Sequence, residues 1–448
     1  MRHFVEGFER AAGARGRARR VGAELKFPLV DLEGRAASAE ATRGLWDFLV
    51  RHGWSPDIDP PSGEIIGATL PGPRNDTRAS CETGHCKVEF SLAHVADLHE
   101  LAGMVGGLRG LLGRFCGESG HLLLGFGIQP VSRPGKHLEM KKSRNMFWDR
   151  IFGSNRHVPP EDGDDVHLFT LSAASQVHID VTIDEAIQAV NVFNGFSGAQ
   201  IALTANSNIW RGELDTEHRC VGEVFWDWWI PGTDRYGVPP RPFVNVTDYV
   251  HTVSMLPPVY VRRDGRPIGL PGYNSFHEYY SSGAGARGIG ADGGDVELTP
   301  EPADIDQHAT FYWYNARISR YYTLENRVND QQPPDDLVVI SALTLGLCSA
   351  LDEAEEEIRA CSWDELWAAR TVACRHALGG AFGEIRLHDL AGRMLEIAKL
   401  GLRRRGLGET EYLEPLCARL ADRRCPADEA AALFREGGMA ALLRARRI

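Results

Sequence analysis

The sequence predicts an α+β fold: one large catalytic domain, residues 1–400, with a helical extension of the same domain over residues 401–448. Three observations predict it. Segments with period-two alternation are mixed with helical patterns as far as residue 330. The chain then reads as helical to its end, with Arg-rich turns at Arg403 to Arg405 and Arg444 to Arg447. No internal repeat and no Pro-rich linker divides the 448 residues, so a single large domain accounts for them most simply.

The first 22 residues, "MRHFVEGFERAAGARGRARRVG", are basic and amphipathic but contain no apolar secretory core. Glu6 and Glu9 interrupt the positive face, so a first helix is expected rather than a transit peptide. Val21 to Val30, "VGAELKFPLV", reads as a strand with alternation on either side of Glu24. Thr42 to Trp54 reads as an amphipathic helix, and "GEIIGATLPGP" as a strand and turn. In "SCETGHCKVEFSL" Gly84 marks a turn and "CKVEFSL" a strand. "VADLHELAGMVGGLRGLLGRFCG" is a long helical pattern, and "HLLLGFGIQPV" a buried strand ended by Pro130. "SQVHIDVTI" alternates strictly, with Gln176, His178 and Asp180 on one face. "DEAIQAVNVFNGFSGAQIALTANS" reads as one helix opened by acidic residues, as the helix dipole favours. Arg211 to Gly294, rich in Gly, Pro and aromatics, reads mostly as loop. Its Gly-rich part, Ser281 to Asp295, lacks the Gly-Lys-Ser/Thr ending of a phosphate-binding loop and reads as a mobile loop. "ATFYWYNARISRYYTLENRVND" carries a further strand. Leu337 to Cys348 is too short to span a bilayer and reads as a buried helix.

The composition narrows the function. A net charge of −12 argues against a nucleic-acid binder, which needs clustered Lys and Arg. Nine scattered cysteines, an odd number, suit reduced thiols in a cytoplasmic enzyme better than a secreted disulfide scaffold. No membrane association is expected. Cys81, His85 and Cys86 invite a zinc reading, but no second ligand pair follows and reduced bystander thiols fit better.

Carboxylates and an amide, with His178 and Arg327 among them, sit on separated strands: Glu24; Glu82 and Glu89; Gln176, His178 and Asp180; then Glu325, Arg327 and Asp330. Oxygen donors of this kind suit Mg²⁺, and arginines beside them suit phosphoryl groups. Together they describe a metal–nucleotide site for phosphoryl transfer. Any one such Glu, taken alone, is ordinarily solvated or ion-paired.

Seven segments, in order, resemble the glutamate–cysteine ligase family in its plant and proteobacterial branch, over roughly residues 20 to 350. "VGAELKF" resembles the family's G-x-E-x-E strand, and "CETGHCKVEFS" its "LEPGGQFELS". "GFGIQP" resembles "GIGFQP", "SQVHID" resembles "VQVNLD", and "ALTANS" resembles "ALFANS". "TDRYG" resembles "DRTG", and "ARISRYYTLENRVND" the late strand with an E-x-R-x-x-D pattern. The resemblance implies a glutamine synthetase-like fold, a curved, mostly antiparallel sheet forming a funnel with helices outside. It implies ATP-dependent ligation of the γ-carboxylate of glutamate to an amine, cysteine by default, through an acyl phosphate, as in glutathione biosynthesis. ATP and Mg²⁺ (or Mn²⁺) are the implied cofactors, small molecules the only partners, and a monomer or homodimer the implied assembly. Residue by residue, it implies Glu24, Glu82, Glu89, Gln176 and Glu325 as metal ligands and Arg327 as the contact of the transferred phosphoryl. Asn206, Ser207 and Arg235 are implied at the substrate pocket, and Arg317 and Arg320 at the nucleotide.

Two positions depart from the family pattern. Lys26 replaces the second Glu of G-x-E-x-E; its ammonium could stand for one metal charge or reach a phosphate, which makes it a catalytic candidate. Around "HRCVGEVFWDWWIPGTDRYG" Arg219 lies too far from Trp226 for the family spacing, and three tryptophans crowd together. A different amine or carboxylate, as in a natural-product pathway, or a catalytically silent relative that binds nucleotide or amino acid, are the alternatives these departures raise.

Overall fold

The computed structural model describes residues 1–15, 19–73, 75–142, 145–147 and 153–448. Its architecture follows from the alternation in β1 (Val21–Val30). Val21, Ala23, Leu25, Phe27 and Leu29 all point to one face and are buried there. Each large apolar side chain so placed contributes about 1.5–3 kcal/mol. The other face carries Glu24 and Lys26, as a two-residue period requires.

The main sheet adds β2 (Ser55–Ile58), β3 (Ile65–Leu70), β4 (Thr77–Cys81), β5 (Lys87–Ser91), β6 (Leu122–Leu123) and β7 (Ala174–Asp180). Four later strands, β8 (Tyr260–Arg263), β9 (Arg266–Gly269), β10 (Ala286–Gly290) and β11 (Asp295–Leu298), form a separate antiparallel sheet. The main sheet resumes with β12 (Ala316–Ile318) and β13 (Thr323–Asp330). Its order is β12-β13-β7-β1-β5-β4-β3-β2, every pairing antiparallel, with β6 on the end of β1.

The apolar face of this sheet is covered by helices. These include α1 (Arg2–Arg15), α2 (Ala39–Arg51), α3 (Leu98–Ser119), α4 (Ile183–Gly195), α5 (Ser197–Thr204) and, after α6 (Val221–Trp229), α7 (Val339–Ser349). The last lies on β7 and β1 and is buried along its length, as its uninterrupted apolar run demands. Further helices follow to the C-terminus, and one of them, Leu387–Arg405, packs along α7 and runs through residue 400. One continuous hydrophobic cluster joins β1, β5, β7 and β13 to these helices. The α+β class with a curved antiparallel sheet and helices outside is therefore the one observed. Among the described residues no helix is long and apolar enough to cross a membrane.

Four expectations are corrected. The stretch 121–131 is a strand only at Leu122–Leu123; beyond it the chain makes single bridges, Leu124 to Arg447 and Ile128 to Ser172. The expected helix over 184–207 is two helices, broken at Phe196, which ends α4 and opens α5. The expected loop 211–294 holds α6, another helix at Val246–Ser254, and most of the second sheet. Its Gly-rich part is not a mobile loop but β10 and the turn into β11, where Gly288 lies so close to Gly269 that a side chain would not fit.

Candidate active site

The polar face of the main sheet gathers the chemistry because five adjacent strands, β5, β1, β7, β13 and β12, place polar and charged residues in register. Lys26 of β1 lies opposite Glu89 of β5, and Glu24 opposite Gln176 of β7. Glu325 of β13 lies opposite His178 of β7 on one side and Arg317 of β12 on the other. Strands remote in sequence thus contribute to one row.

The row has two halves that share Glu24. In the first, the Lys26 ammonium sits among three carboxylates: Glu89 at 2.9 Å, Glu82 at 3.1 Å and Glu24 at 3.9 Å. Burial alone would lower its pKa, but Glu82, Glu89 and Glu24 outweigh that and hold it well above the ordinary lysine value. Burial pushes the Glu89 carboxyl up to about 7 against the pull of Lys26, with Glu24 and Glu82 adding like charge. Lys87 approaches the second oxygen of Glu82 at 3.4 Å and donates to the carbonyl of Phe169 at 2.9 Å.

In the second half, the His178 Nε2 lies 3.1 Å from Glu24 Oε1, and its Nδ1 lies 2.8 Å from Thr323 Oγ1. Burial opposes charge on His178, but Glu24 and then Glu325 raise its pKa. Donor atoms of Glu24, His178 and Glu325 all lie within 4.8 Å of one another. Two carboxylates and an imidazole form a donor set that fits a divalent cation such as Mg²⁺ or Mn²⁺. Glu325 is backed by Arg317, whose Nε donates to it at 2.8 Å, and by a close contact from Arg327. Burial would raise the Glu325 carboxyl, but Arg317, Arg327 and His178 hold it well below the usual carboxylate range.

The structure thus brings together Glu24, Lys26, Glu82, Glu89, Gln176, Arg317, Glu325 and Arg327. Gln176 is turned to the guanidinium, its Oε1 accepting from Arg327 Nη1 at 3.3 Å. His178, singled out only as a neighbour on the Gln176 face, is the residue that meets Glu24 and Glu325. Arg320 stands on the outer turn, exposed and laid over Tyr321. Asn206 and Ser207 are wholly buried at the end of β13. The Asn206 N–H and the Ser207 hydroxyl both donate to Asp330 Oδ2 at 2.7 Å, and the Asn206 amide donates to the carbonyls of Gly125 and Gln331. Arg235 is buried and donates to the carbonyls of Phe311 and Pro257; burial lowers its pKa to about 10.

The turn that carries Glu82 is held from below. His85 Nε2 lies 3.0 Å from the carbonyl of Ala37, Cys81 Sγ donates to the carbonyl of His85, and Cys86 Sγ points to the carbonyl of Thr170. Burial pushes both thiols up to about 12, so neither is a thiolate at neutral pH. The tryptophans after Arg219 form an aromatic cluster: Trp226 stacks on Trp313 with centroids 5.2 Å apart, and Trp229 packs on Phe169. Trp228 and Asp227 line a separate cavity of 320 Å³ with His218 and Arg375.

The model of glutamate–cysteine ligase family 2 matches residues 20–445 of this sequence. No curated protein matches it. Among solved structures the chain is similar to a glutamate–cysteine ligase from Francisella tularensis in complex with AMP, at 12% identity and a TM-score of 0.54, covering 95% of this chain and 86% of that one. It is also similar to a bifunctional glutathione synthetase from Pasteurella multocida, at 10% identity and a TM-score of 0.50, covering 97% of this chain and 52% of that one. At such identities the likeness shows the fold.

Proposed function

We propose, from the premise that the chain belongs to glutamate–cysteine ligase family 2, that it is an ATP-dependent ligase joining the γ-carboxylate of glutamate to an amine, cysteine by default. The observation that carries the proposal is the second half of the row: two carboxylates and an imidazole, flanked by two guanidinium groups, on one sheet face. Ligation through an acyl phosphate brings anions together, so the site must neutralise charge as it develops.

Glu24, His178 and Glu325 would hold the divalent ion, which, when bound, would polarise the phosphoryl oxygens of ATP. Arg327 lies beside Glu325 with a planar fork suited to the transferred phosphoryl. Gln176 orients that guanidinium through its amide oxygen. Arg317 fixes Glu325 from the opposite side and keeps it ionised. Glu82 and Glu89 hold Lys26, which adds a fixed positive charge next to Glu24. Asn206 and Ser207 shape the pocket indirectly, by seating Asp330 at the end of the strand that carries Arg327. Arg235 and Arg320 are the further candidates for substrate and nucleotide. The nine free cysteines suit a reducing cytoplasm.

A coupled ADP-release assay with glutamate, Mg²⁺ and a panel of amines tests this. Turnover with cysteine supports the default acceptor, and turnover with another amine alone moves the acceptor but keeps the ligation. Glu325→Gln should lower turnover at least about a hundredfold, because it removes a charge on which the metal and both arginines converge. ATP binding without ADP release from any glutamate–amine pair would refute the reading.

A further inference from the structure

Glu24, Glu82 and Glu89 converge on one point, and this chain's own ammonium occupies it. Three carboxylates around a single cationic centre is the arrangement a hard divalent ion takes. Here the centre is Lys26 Nζ, 3.9 Å from Glu24, 3.1 Å from Glu82 and 2.9 Å from Glu89, on a side chain only 4% exposed. We propose that Lys26 is a built-in cation that permanently fills this position, so that the site binds one divalent ion, at Glu24, His178 and Glu325, and no second ion among Glu24, Glu82 and Glu89. The occupancy follows from the geometry of the row; only the use of the remaining ion for nucleotide rests on the ligase reading above.

The partners around Lys26 support this. Both oxygens of Glu82 face ammonium groups, one Lys26 and the other Lys87. Both oxygens of Glu89 are engaged, one by Lys26 and one by the hydroxyl of Ser91 at 2.9 Å. Glu24 divides the two positions, turning Oε2 to Lys26 and Oε1 to His178. Lys26 stands opposite Glu89 in the β1–β5 register, so it reaches the acids from the strand that also bears Glu24. Moving it aside would leave three partly buried carboxylates facing one another uncompensated. A second cation entering here would also meet Lys87, which is anchored to the carbonyl of Phe169.

The test is the Mn²⁺ stoichiometry of the full chain, read by electron paramagnetic resonance of free Mn²⁺ with the metal alone. Wild type should bind one ion per chain, His178→Ala none, Glu82→Gln still one, and Lys26→Gln two. Two ions or none in the wild type, or loss of the single ion in Glu82→Gln, would overturn the proposal without recourse to any Lys26 variant. So would one ion in a folded Lys26→Gln. If Lys26→Gln unfolds without metal, recovery of its melting transition on adding Mn²⁺ supports the proposal, and failure to recover refutes it. The ADP assay is independent. One ion with no turnover defeats the ligase reading alone; turnover with two ions in the wild type defeats only the role of Lys26.

Discussion

Replacing Asp330 by Asn should remove a pH dependence that the wild-type fold carries. Asp330 closes β13 and is fully buried, accepting from the Asn206 N–H, the Ser207 hydroxyl and Cys220. Burial pushes its carboxyl from 3.8 up to about 7 against those donors, with the Glu223 charge nearby adding to the rise. A carboxyl whose pKa is raised by folding binds its proton more tightly in the native state. Its contribution is complete below the unfolded pKa and is lost as pH climbs through the folded one. Between about pH 4 and 7 the native chain holds a proton that the unfolded chain has released, so stability falls by up to about 1.4 kcal/mol per pH unit. From pH 5 to 7 the wild type should therefore lose about 2 kcal/mol more than Asp330→Asn, which keeps an acceptor oxygen of the same shape but does not titrate. Urea unfolding of both proteins across that range measures the difference. The raised carboxyl of Glu89 drives the same trend but is common to both and cancels in the comparison. Parallel stability curves, or a steeper fall in the variant, would refute the reasoning.

Gly84→Ala should destabilise the chain by about 1–3 kcal/mol, read as a lower melting temperature, because the added methyl would overpack against backbone. A Cβ there would lie 2.4 Å from the carbonyl oxygen of Thr170 and 2.9 Å from its Cα; an unchanged melting temperature would mean that this segment yields freely. Cys81 and Cys86, buried and held up to about 12, should stay unmodified by a thiol reagent at about pH 8 in the native protein and react once it is denatured. Mass spectrometry follows this, and fast native labelling of either thiol would contradict their burial.

The strands of the site were legible because their alternation is strict: Val21–Val30 and Ala174–Asp180 lie where period two places them. Which residues meet across the sheet was not. Alternation put Gln176 and His178 on one face, but only the register pairs His178 with Glu325, and register between strands about 150 residues apart leaves no trace in a single sequence. Lys26 was legible as a misfit in a carboxylate motif; its partners were not, since Glu82 reaches it from a turn. Asn206 and Ser207 read as pocket residues, but that the Asn206 N–H and the Ser207 hydroxyl meet Asp330 was not legible, since "LENRVND" shows that residue without any hint of its burial. The region 211–294 looked like loop because glycine and proline are frequent there. One signal was present: "RRDGRP" holds an Asp-Gly pair, and Asp264 and Gly265 both take positive φ, at 49° and 76°, in the tight turn between β8 and β9.

The placing of charge along individual strands bears on how the sheet assembles. β1 carries Lys26 two residues from Glu24, β5 carries Lys87 two residues from Glu89, and β13 carries Arg327 two residues from Glu325. Each strand therefore arrives at pairing with its own counter-charge on the same face. The central pairings, β1 with β7 and β7 with β13, close loops of well over a hundred residues, the kind of contact that forms slowly. A face of carboxylates alone would repel itself during that search and would have to wait for a captured ion. With neutralised strands the sheet can close in a metal-free solution, and ion binding becomes an event of the finished fold instead of a step in making it.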